Sequence, residues 1–332
     1  MSVRLVPPVG VGVIGGGKHG VRYLGHLRAD VPELRVAALC RRDAAAGAAQ
    51  AHEFGCAFFE RWQDLVASPA VRAVVVVVPP TLHLEIATAV ATAGKALLIE
   101  KPLAPSGEAA AALVRRVRRA GIPALMAHTL RWNAVVRAVH ARLPQLGALR
   151  ALVVNQRFEP SPLAWLDDPA IAAGGILLHT GVHSFDLVRL LTGCEVRRVH
   201  CRTVATHTRR IEDNFSAALE LDGSPALVTV NGCRDTLGRS GLIDAAATQG
   251  QLVADHQQHW AHEVHGLERT PLVLGDPVPT VREVLRSFAA LLCRAERPPV
   301  ELEDGARAVA IAEACRRSAA SGSPEDVATL GV

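Results

Sequence analysis

The stretch that most constrains this chain is the run Val9 to Ile14, which passes directly into Gly15-Gly16-Gly17-Lys18-His19-Gly20 and then into Val21, Leu24 and Leu27 at helical spacing. A β-branched run, a glycine turn and an apolar stripe of helical period predict strand, tight turn and helix, the opening unit of an α/β fold. The pattern Gly15-x-Gly17-x-x-Gly20 has a mechanical reading. The first glycine permits the turn, the second lets backbone N–H groups approach a pyrophosphate, and the third allows close packing of helix on strand. A purely structural turn is the competing reading, but the position within a first β-α unit favours a dinucleotide site that includes Lys18 and His19.

The pattern continues. Leu34 to Leu39 reads as a second strand, followed by an alanine-rich helix, and Val71 to Val78 as a strand buried on both faces that stops at Pro79-Pro80. A helix from about Leu82 to Ala93 ends at Gly94. Strand Ala96 to Ile99 leads into Glu100-Lys101-Pro102, helix Ser106 to Ala120 stops at Gly121, and Pro123 to Ala127 is another strand. Such alternation predicts a doubly wound parallel sheet of the Rossmann kind with helices on both faces. Beyond about residue 147 the texture changes to longer alternating strands at Ala148 to Phe158, Val196 to Thr206, Phe215 to Leu221, Ala226 to Asn231 and Leu242 to Ala247, with helices near Gly181 to Leu191, Val281 to Arg294 and Gly305 to Ser321. This half reads as an α+β unit with a large, mostly antiparallel open sheet. Residues 1–127 and 128–332 are the expected domains.

Composition removes several classes of function. The net charge of +4 over 332 residues is small and dispersed, and a patch such as Arg115, Arg116, Arg118 and Arg119 suits a solvated helix face, so neither nucleic acid nor a membrane is called for. Unbroken apolar stretches fall short of the roughly 20 residues of a membrane span, and a cytoplasmic protein is expected. Seven cysteines without a C-x-x-C pair predict free, mostly buried thiols and no metal cage. Two scarcities carry more weight. Only Lys18, Lys95 and Lys101 are lysines among 36 basic residues, and Tyr23 is the single tyrosine, which excludes a Tyr-x-x-x-Lys acid pair.

The second strand ends in Cys40-Arg41-Arg42-Asp43, where an NAD-binding unit would place an acid for the ribose hydroxyls. Two guanidiniums there suit a 2′-phosphate, so NADP(H) is preferred over NAD(H); in the alternative, Asp43 takes the ribose. Lys101 closes a predicted parallel strand, where open α/β sheets place their ligands. A partly desolvated ammonium at that edge has a lowered pKa and can protonate or polarise the oxygen of a carbonyl being reduced.

At this point the motifs, in order, resemble a known family. Val9 to Gly17, Val77-Val78-Pro79-Pro80-Thr81-Leu82-His83, Ala93 to Ala104 around Glu100-Lys101-Pro102, Gly174-Gly175 to Asp186, and Glu303-Asp304-Gly305-Ala306 look like the successive motifs of the Gfo/Idh/MocA oxidoreductases. The resemblance implies hydride transfer to or from a sugar, cyclitol or related carbonyl or alcohol. It also implies a C-terminal sheet through which homodimers or homotetramers form, and a cofactor site that includes Pro79, His83 and Glu100. Lys101 would be the catalytic lysine of the E-K-P motif, with a cis Lys101–Pro102 bond. His183 would be the histidine of D-x-G-x-H that contacts or protonates the reacting oxygen, with Asp186 holding its ring.

The chain departs from that pattern at His179, which stands where the family has aspartate. His179 and His183 lie four apart and share a helix face, yet no Glu or Cys completes a metal set. Without the carboxylate, Lys101 and His183 should have lower pKa values than in relatives. Arg131, Asn133, Arg157 and Trp165 fall among the expected substrate-binding residues. With Lys101, His179 and His183, the two arginines would favour an anionic or nucleotide-linked keto-sugar and a ketoreductase direction. Two other readings stand beside this one: an NAD-dependent inositol or sugar dehydrogenase, and a non-catalytic dinucleotide-binding sensor or co-repressor.

Overall fold

The computed structural model describes residues 4–331. In its first half β1 (Val9–Ile14), α1 (Lys18–Ala29), β2 (Leu34–Cys40), α2 (Ala44–Phe54), β3 (Ala57–Phe59), α3 (Trp62–Ala67), β4 (Ala73–Val76), α4 (His83–Thr92), β5 (Ala96–Ile99), α5 (Gly107–Ala120) and β6 (Ala124–Met126) alternate. The six strands are parallel in the order β3-β2-β1-β4-β5-β6. Every residue of β1, β4 and β5 is buried, which is why these strands are written as continuous apolar runs rather than alternating ones. β4 is shorter than its apolar run, because β5 offers it a ladder only from Ala96 to Ile99.

The strand order reverses between β1 and β4, opening a crevice at their C-terminal ends. Into it run the glycine loop after β1, Pro79 after β4, and Glu100-Lys101 after β5. The Lys101–Pro102 bond is cis.

The second half contributes α6 (Ala134–Arg142), β7 (Leu149–Arg157), α7 (Pro169–Ala172), α8 (Val182–Thr192), β8 (Val196–Val204), β9 (Asn214–Leu221), β10 (Ser224–Cys233), β11 (Ser240–Ala247), β12 (Gly250–Asp255), β13 (Trp260–His265), β14 (Glu268–Pro271), α9 (Thr280–Arg294), α10 (Leu302–Ser321) and β15 (Glu325–Asp326). Nine strands form one sheet in the order β14-β13-β12-β11-β7-β10-β9-β8-β15, antiparallel except for the parallel pair β7 and β10. Burial alternates along these strands. Leu152, Val154 and Gln156 of β7 are buried, whereas their neighbours Val153, Asn155 and Arg157 are only partly so. α8 and α10 cover the buried face.

The two halves are interlocked. α9 packs on α1, and Leu5 donates its N–H to the carbonyl of Leu292 at 2.9 Å. α10 lies between α5 of the first half and β8 of the second; it opens on a capping box of Glu301 and Asp304 three residues ahead of the expected Gly305.

Three expectations need correction. α6 and strands β12 to β14 lie outside the expected elements; in β13 and β14, His262, His265 and Arg269 interrupt the apolar alternation that marks a strand. Pro169–Thr192 is a helical stretch long and apolar enough to cross a membrane, although broken into shorter apolar runs in the sequence; most of it is buried within this fold. Of the seven free thiols only Cys40, Cys201 and Cys315 are buried, the other four being partly exposed.

The third glycine of the loop has a measurable role. A Cβ on Gly20 would lie 1.8 Å from the carbonyl oxygen of Gly15, whereas one on Gly17 would meet nothing within 4 Å. Gly20→Ala should therefore destabilise the fold by about 2 kcal/mol in urea unfolding, by overpacking the first β-α unit. Gly17→Ala should leave the midpoint essentially unchanged, and equal effects of the two would contradict the close-packing account.

Candidate active site

The site is assembled from the ends of β1, β4 and β5 together with the segment entering α8. α1 begins at the cleft with Gly17 as its N-cap, no side-chain cap and no acid in its first turn. Its first N–H groups are thus left for a ligand, and the open space beside Gly17 is what a pyrophosphate would need, so the residues present fit a dinucleotide. Lys18 is exposed at the first position of that helix. Arg41 lies against the loop, its Cδ 3.1 Å from where a Gly16 Cβ would stand, and Arg42 is exposed. Asp43 is engaged elsewhere. Its Oδ1 accepts the Ala46 N–H at 3.0 Å as the N-cap of α2.

Beneath the loop lies the buried carboxylate of Glu100. Its Oε1 accepts from the Tyr23 hydroxyl at 2.6 Å and bonds His19 Nε2 at 2.7 Å, while Oε2 accepts the Lys101 N–H at 3.0 Å. Burial alone would raise the Glu100 pKa. The His19 hydrogen bond and charge, the Lys101 ammonium and the Tyr23 hydroxyl reverse that and bring it down to about 2. Tyr23 itself is wholly buried in α1, and burial with the Glu100 charge holds its pKa well above the ordinary value, so its phenol stays a donor to Glu100.

Lys101 donates from Nζ to the backbone carbonyl of His179 at 3.0 Å and makes no ion pair among the described residues. Burial lowers its pKa; Glu100 opposes this and Arg234 adds to it. His179 and His183 enter from the other side, His179 in a π-helical turn over Leu177–Gly181 and His183 in the first turn of α8. The His179 ring bonds the Ala172 carbonyl through Nε2 at 2.9 Å and packs edge-on against Trp165, with ring centroids 5.7 Å apart. Burial, then the Lys101 and Arg234 charges, bring its pKa to about 3. The ring is neutral, and because Nε2–H is the donor, Nδ1 is an acceptor. His183 is pushed well below the ordinary range by burial and Lys101. Both Lys101 and His183 lie below their ordinary values, and burial is the largest cause in each. His183 Nδ1 is enclosed without a hydrogen-bond partner among the described residues, beside His128 at a ring-centroid separation of 5.9 Å.

Several expected site residues are engaged elsewhere. Asp186 does not hold His183; it accepts two bonds from Arg131, at 2.9 Å from Nε and 2.6 Å from Nη2. Arg131 also pairs with Asp304 at 3.1 Å, so both belong to a buried ionic cluster and not to the substrate surface. Asn133 caps α6, its Oδ1 accepting from Val135 and Val136 N–H, and its Nδ2 donates to the His256 carbonyl. Arg157 follows buried Gln156 on β7, so the two-residue period turns it to the opposite face of the sheet from α8. His83 is fully buried, with Nε2 2.9 Å from the Val78 carbonyl and Nδ1 3.2 Å from the Leu103 carbonyl; burial favours the neutral ring, which donates to one of the two, and the residue is part of the packing behind the cofactor loop.

One residue of the site was missed. Arg234, directly after β10, donates from Nη2 to the Thr180 hydroxyl at 2.8 Å beside His179. Its signal was parity. Val228, Val230 and Gly232 are the buried positions of β10, and Arg234 continues their series.

A model of the oxidoreductase family with an NAD-binding Rossmann fold matches residues 9–128, and one of the GFO/IDH/MocA C-terminal domain matches residues 141–253. The chain belongs to the Gfo/Idh/MocA oxidoreductase family. As such it is an NAD(P)-dependent oxidoreductase acting on CH–OH or C=O groups. It is 30% identical to inositol 2-dehydrogenase 1 of Saccharopolyspora erythraea, covering 96% of each chain. It is 28% identical to D-xylose 1-dehydrogenase (NADP(+)) 2 of Haloferax volcanii, over 87% of this chain and 91% of that one. Its fold matches levoglucosan dehydrogenase in complex with NADH and levoglucosan at a TM-score of 0.86 and 22% identity, over 97% of this chain and all of that one.

The Glu100 network gives a signed expectation. A carboxylate whose folded pKa is about 2 against an ordinary 4.5 contributes stability that is present above about pH 4.5 and lost as pH falls toward 2. Glu100→Gln should therefore lower the melting temperature at pH 7, and the gap from the parent should close between about pH 4.5 and 2. A gap that stays constant over that range would remove the charge from the explanation.

Proposed function

We propose that the protein is an NADP(H)-dependent enzyme that transfers a hydride between the nicotinamide and a carbonyl or secondary alcohol of a sugar or cyclitol derivative, working as a ketoreductase on an anionic or nucleotide-linked keto-sugar. The observation that carries this reading is the Lys101 ammonium at the strand ends, unpaired, beside two histidines held neutral and an uncapped helix N-terminus.

Gly15, Gly17, Lys18, His19 and Gly20 would hold the pyrophosphate side of the cofactor, with Pro79 and Glu100 supporting the loop. Arg41 and Arg42 would take the 2′-phosphate. The capping bond of Asp43 supports this choice, since it engages the one acid that would otherwise meet the ribose.

Lys101 supplies the proton at the reacting oxygen, and its lowered pKa brings donor and reaction conditions closer. His183 retains access to the cleft through Nε2, its Nδ1 being enclosed, and bonds the same oxygen. His179, with Nδ1 as acceptor, orients a neighbouring substrate hydroxyl against the Trp165 edge. An anionic substrate is supported by what replaces the family aspartate: a neutral ring, which leaves the Lys101 charge without a carboxylate partner in the cleft.

A second reading, an NAD-dependent inositol or sugar dehydrogenase, is favoured by the inositol 2-dehydrogenases of Rhizobium meliloti and Saccharopolyspora erythraea among the relatives. The non-catalytic sensor is set aside by membership of an enzyme family and by retention of Lys101 and His183. The open face of the second sheet, with Val204 and Leu227 exposed, is the face we assign to pairing of copies.

Steady-state reduction with NADPH and NADH tests the cofactor assignment. NADPH should have the lower KM, and Arg41→Ala with Arg42→Ala should raise it by about tenfold, the loss of roughly 1.4 kcal/mol of charged contact, without changing that for NADH. A lower KM for NADH in the parent decides for the second reading. Lys101→Ala should cut turnover by several orders of magnitude with dinucleotide affinity retained. The rate of reduction in the parent should fall with rising pH at a value below the ordinary lysine range, because the protonated ammonium is the donor. Near-parental turnover in Lys101→Ala would refute that role.

A further inference from the structure

We infer that Arg234 forms a carboxylate-binding subsite beside Lys101, so that the substrate is a keto-sugar acid. The inference rests on the function proposed above and narrows its substrate class.

Arg234 is held in the cleft by its Nη2 bond to Thr180 Oγ1 at 2.8 Å, and its backbone N–H is fixed to the Asp213 carbonyl at 2.9 Å. Thr180 follows His179, whose carbonyl accepts from Lys101 Nζ at 3.0 Å, so one short π-helical turn positions both cations. The Thr180 bond is the guanidinium's only hydrogen bond among the described residues, out of five N–H donors. The nearest acids do not answer it. Glu212 accepts from the Gly175 and Leu177 N–H groups at 3.0 and 3.3 Å, and Asp213 accepts from Thr206, His207 and Thr208. Neither makes an ion pair with Arg234. The contrast with the other largely buried arginines is direct: Arg131 pairs with Asp186 and Asp304, and Arg189 with Glu195 and Asp304.

The Glu212 and Asp213 charges act on Arg234 without contact, and a guanidinium withdrawn from water with no contact ion pair is costly to keep; the cost is offset when a ligand supplies a carboxylate in contact. The remaining donors form a planar fork that matches a carboxylate bidentately. Charge balance favours a carboxylate over a phosphate. With Lys101 assigned to the reacting oxygen, one guanidinium without a contact ion pair remains, its charge already partly offset by Glu212 and Asp213, which suits a monoanion better than a dianion. Unlike Arg131 and Arg157, Arg234 therefore gives the anionic preference a physical seat in the cleft.

The test is a matched set of probes titrated calorimetrically into the dinucleotide-loaded enzyme: D-gluconate against D-glucitol, D-glucuronate against D-glucose, and D-glucose 6-phosphate. In the parent at least one acid should bind tenfold or more tighter than its neutral partner and tighter than the phosphate. Arg234→Met should abolish that difference while leaving the neutral ligand's Kd in place. Arg234→Lys, which keeps the charge and loses the fork, should retain part of it. Dinucleotide affinity serves as the folding control, and the lysine variant decides if the methionine variant does not fold. No acid preference in the parent overturns the anionic reading and the subsite together. An acid preference that survives in Arg234→Met overturns the Arg234 assignment alone, and tighter binding of the phosphate overturns the carboxylate.

Discussion

The buried carboxylate of Glu100 joins two elements that the chain supplies far apart, the first helix and the end of β5. Tyr23 and His19 come from the first helix and Lys101 from the end of β5, and all three meet one side chain that is 4% exposed. A charge so enclosed persists only because hydrogen bonds and a cation hold it, and the same contacts fix the glycine loop and the lysine in one frame. The single tyrosine thus serves the site from beneath, as a donor to a carboxylate and not as a proton donor to substrate.

A second constraint comes from the ionic chain that runs Glu195, Arg189, Asp304, Arg131, Asp186. It ties α8 to α10 and to the turn before α6, behind the histidines. Removing one member of such a cluster leaves an uncompensated buried charge, so these residues act as a unit. Its consequence for chemistry is subtraction. Asp186 and Arg131 are engaged with each other, and the cleft retains Lys101, neutral His179 and His183, and Arg234.

Much of this was legible from order and spacing. The glycine loop, the proline stop after β4 and the Glu100-Lys101-Pro102 turn announced a doubly wound sheet, and the structure brings those three segments to one crevice at its strand ends. The individual partners were less legible. His83 and Asn133 are polar residues in the right segments, yet their side chains are turned to backbone groups, one between two carbonyls and one as a helix cap. Motif position does not distinguish a residue that faces a ligand from one that completes the loop behind it.

The sequence by itself determined the period of most elements, and with it the first sheet and the centre of the second, the location of the cofactor loop and the presence of a lysine at the strand ends. Tertiary structure decided which charges remain free. Arg131, Arg157 and Arg234 are equivalent in composition. The first is neutralised by carboxylates distant in sequence, the second is turned to the far face by the pleat, and the third is left unpaired beside Lys101. The reason is that ion pairing and burial are set by residues brought together across long chain separations, whereas helical and strand periodicity are set by neighbours along the chain.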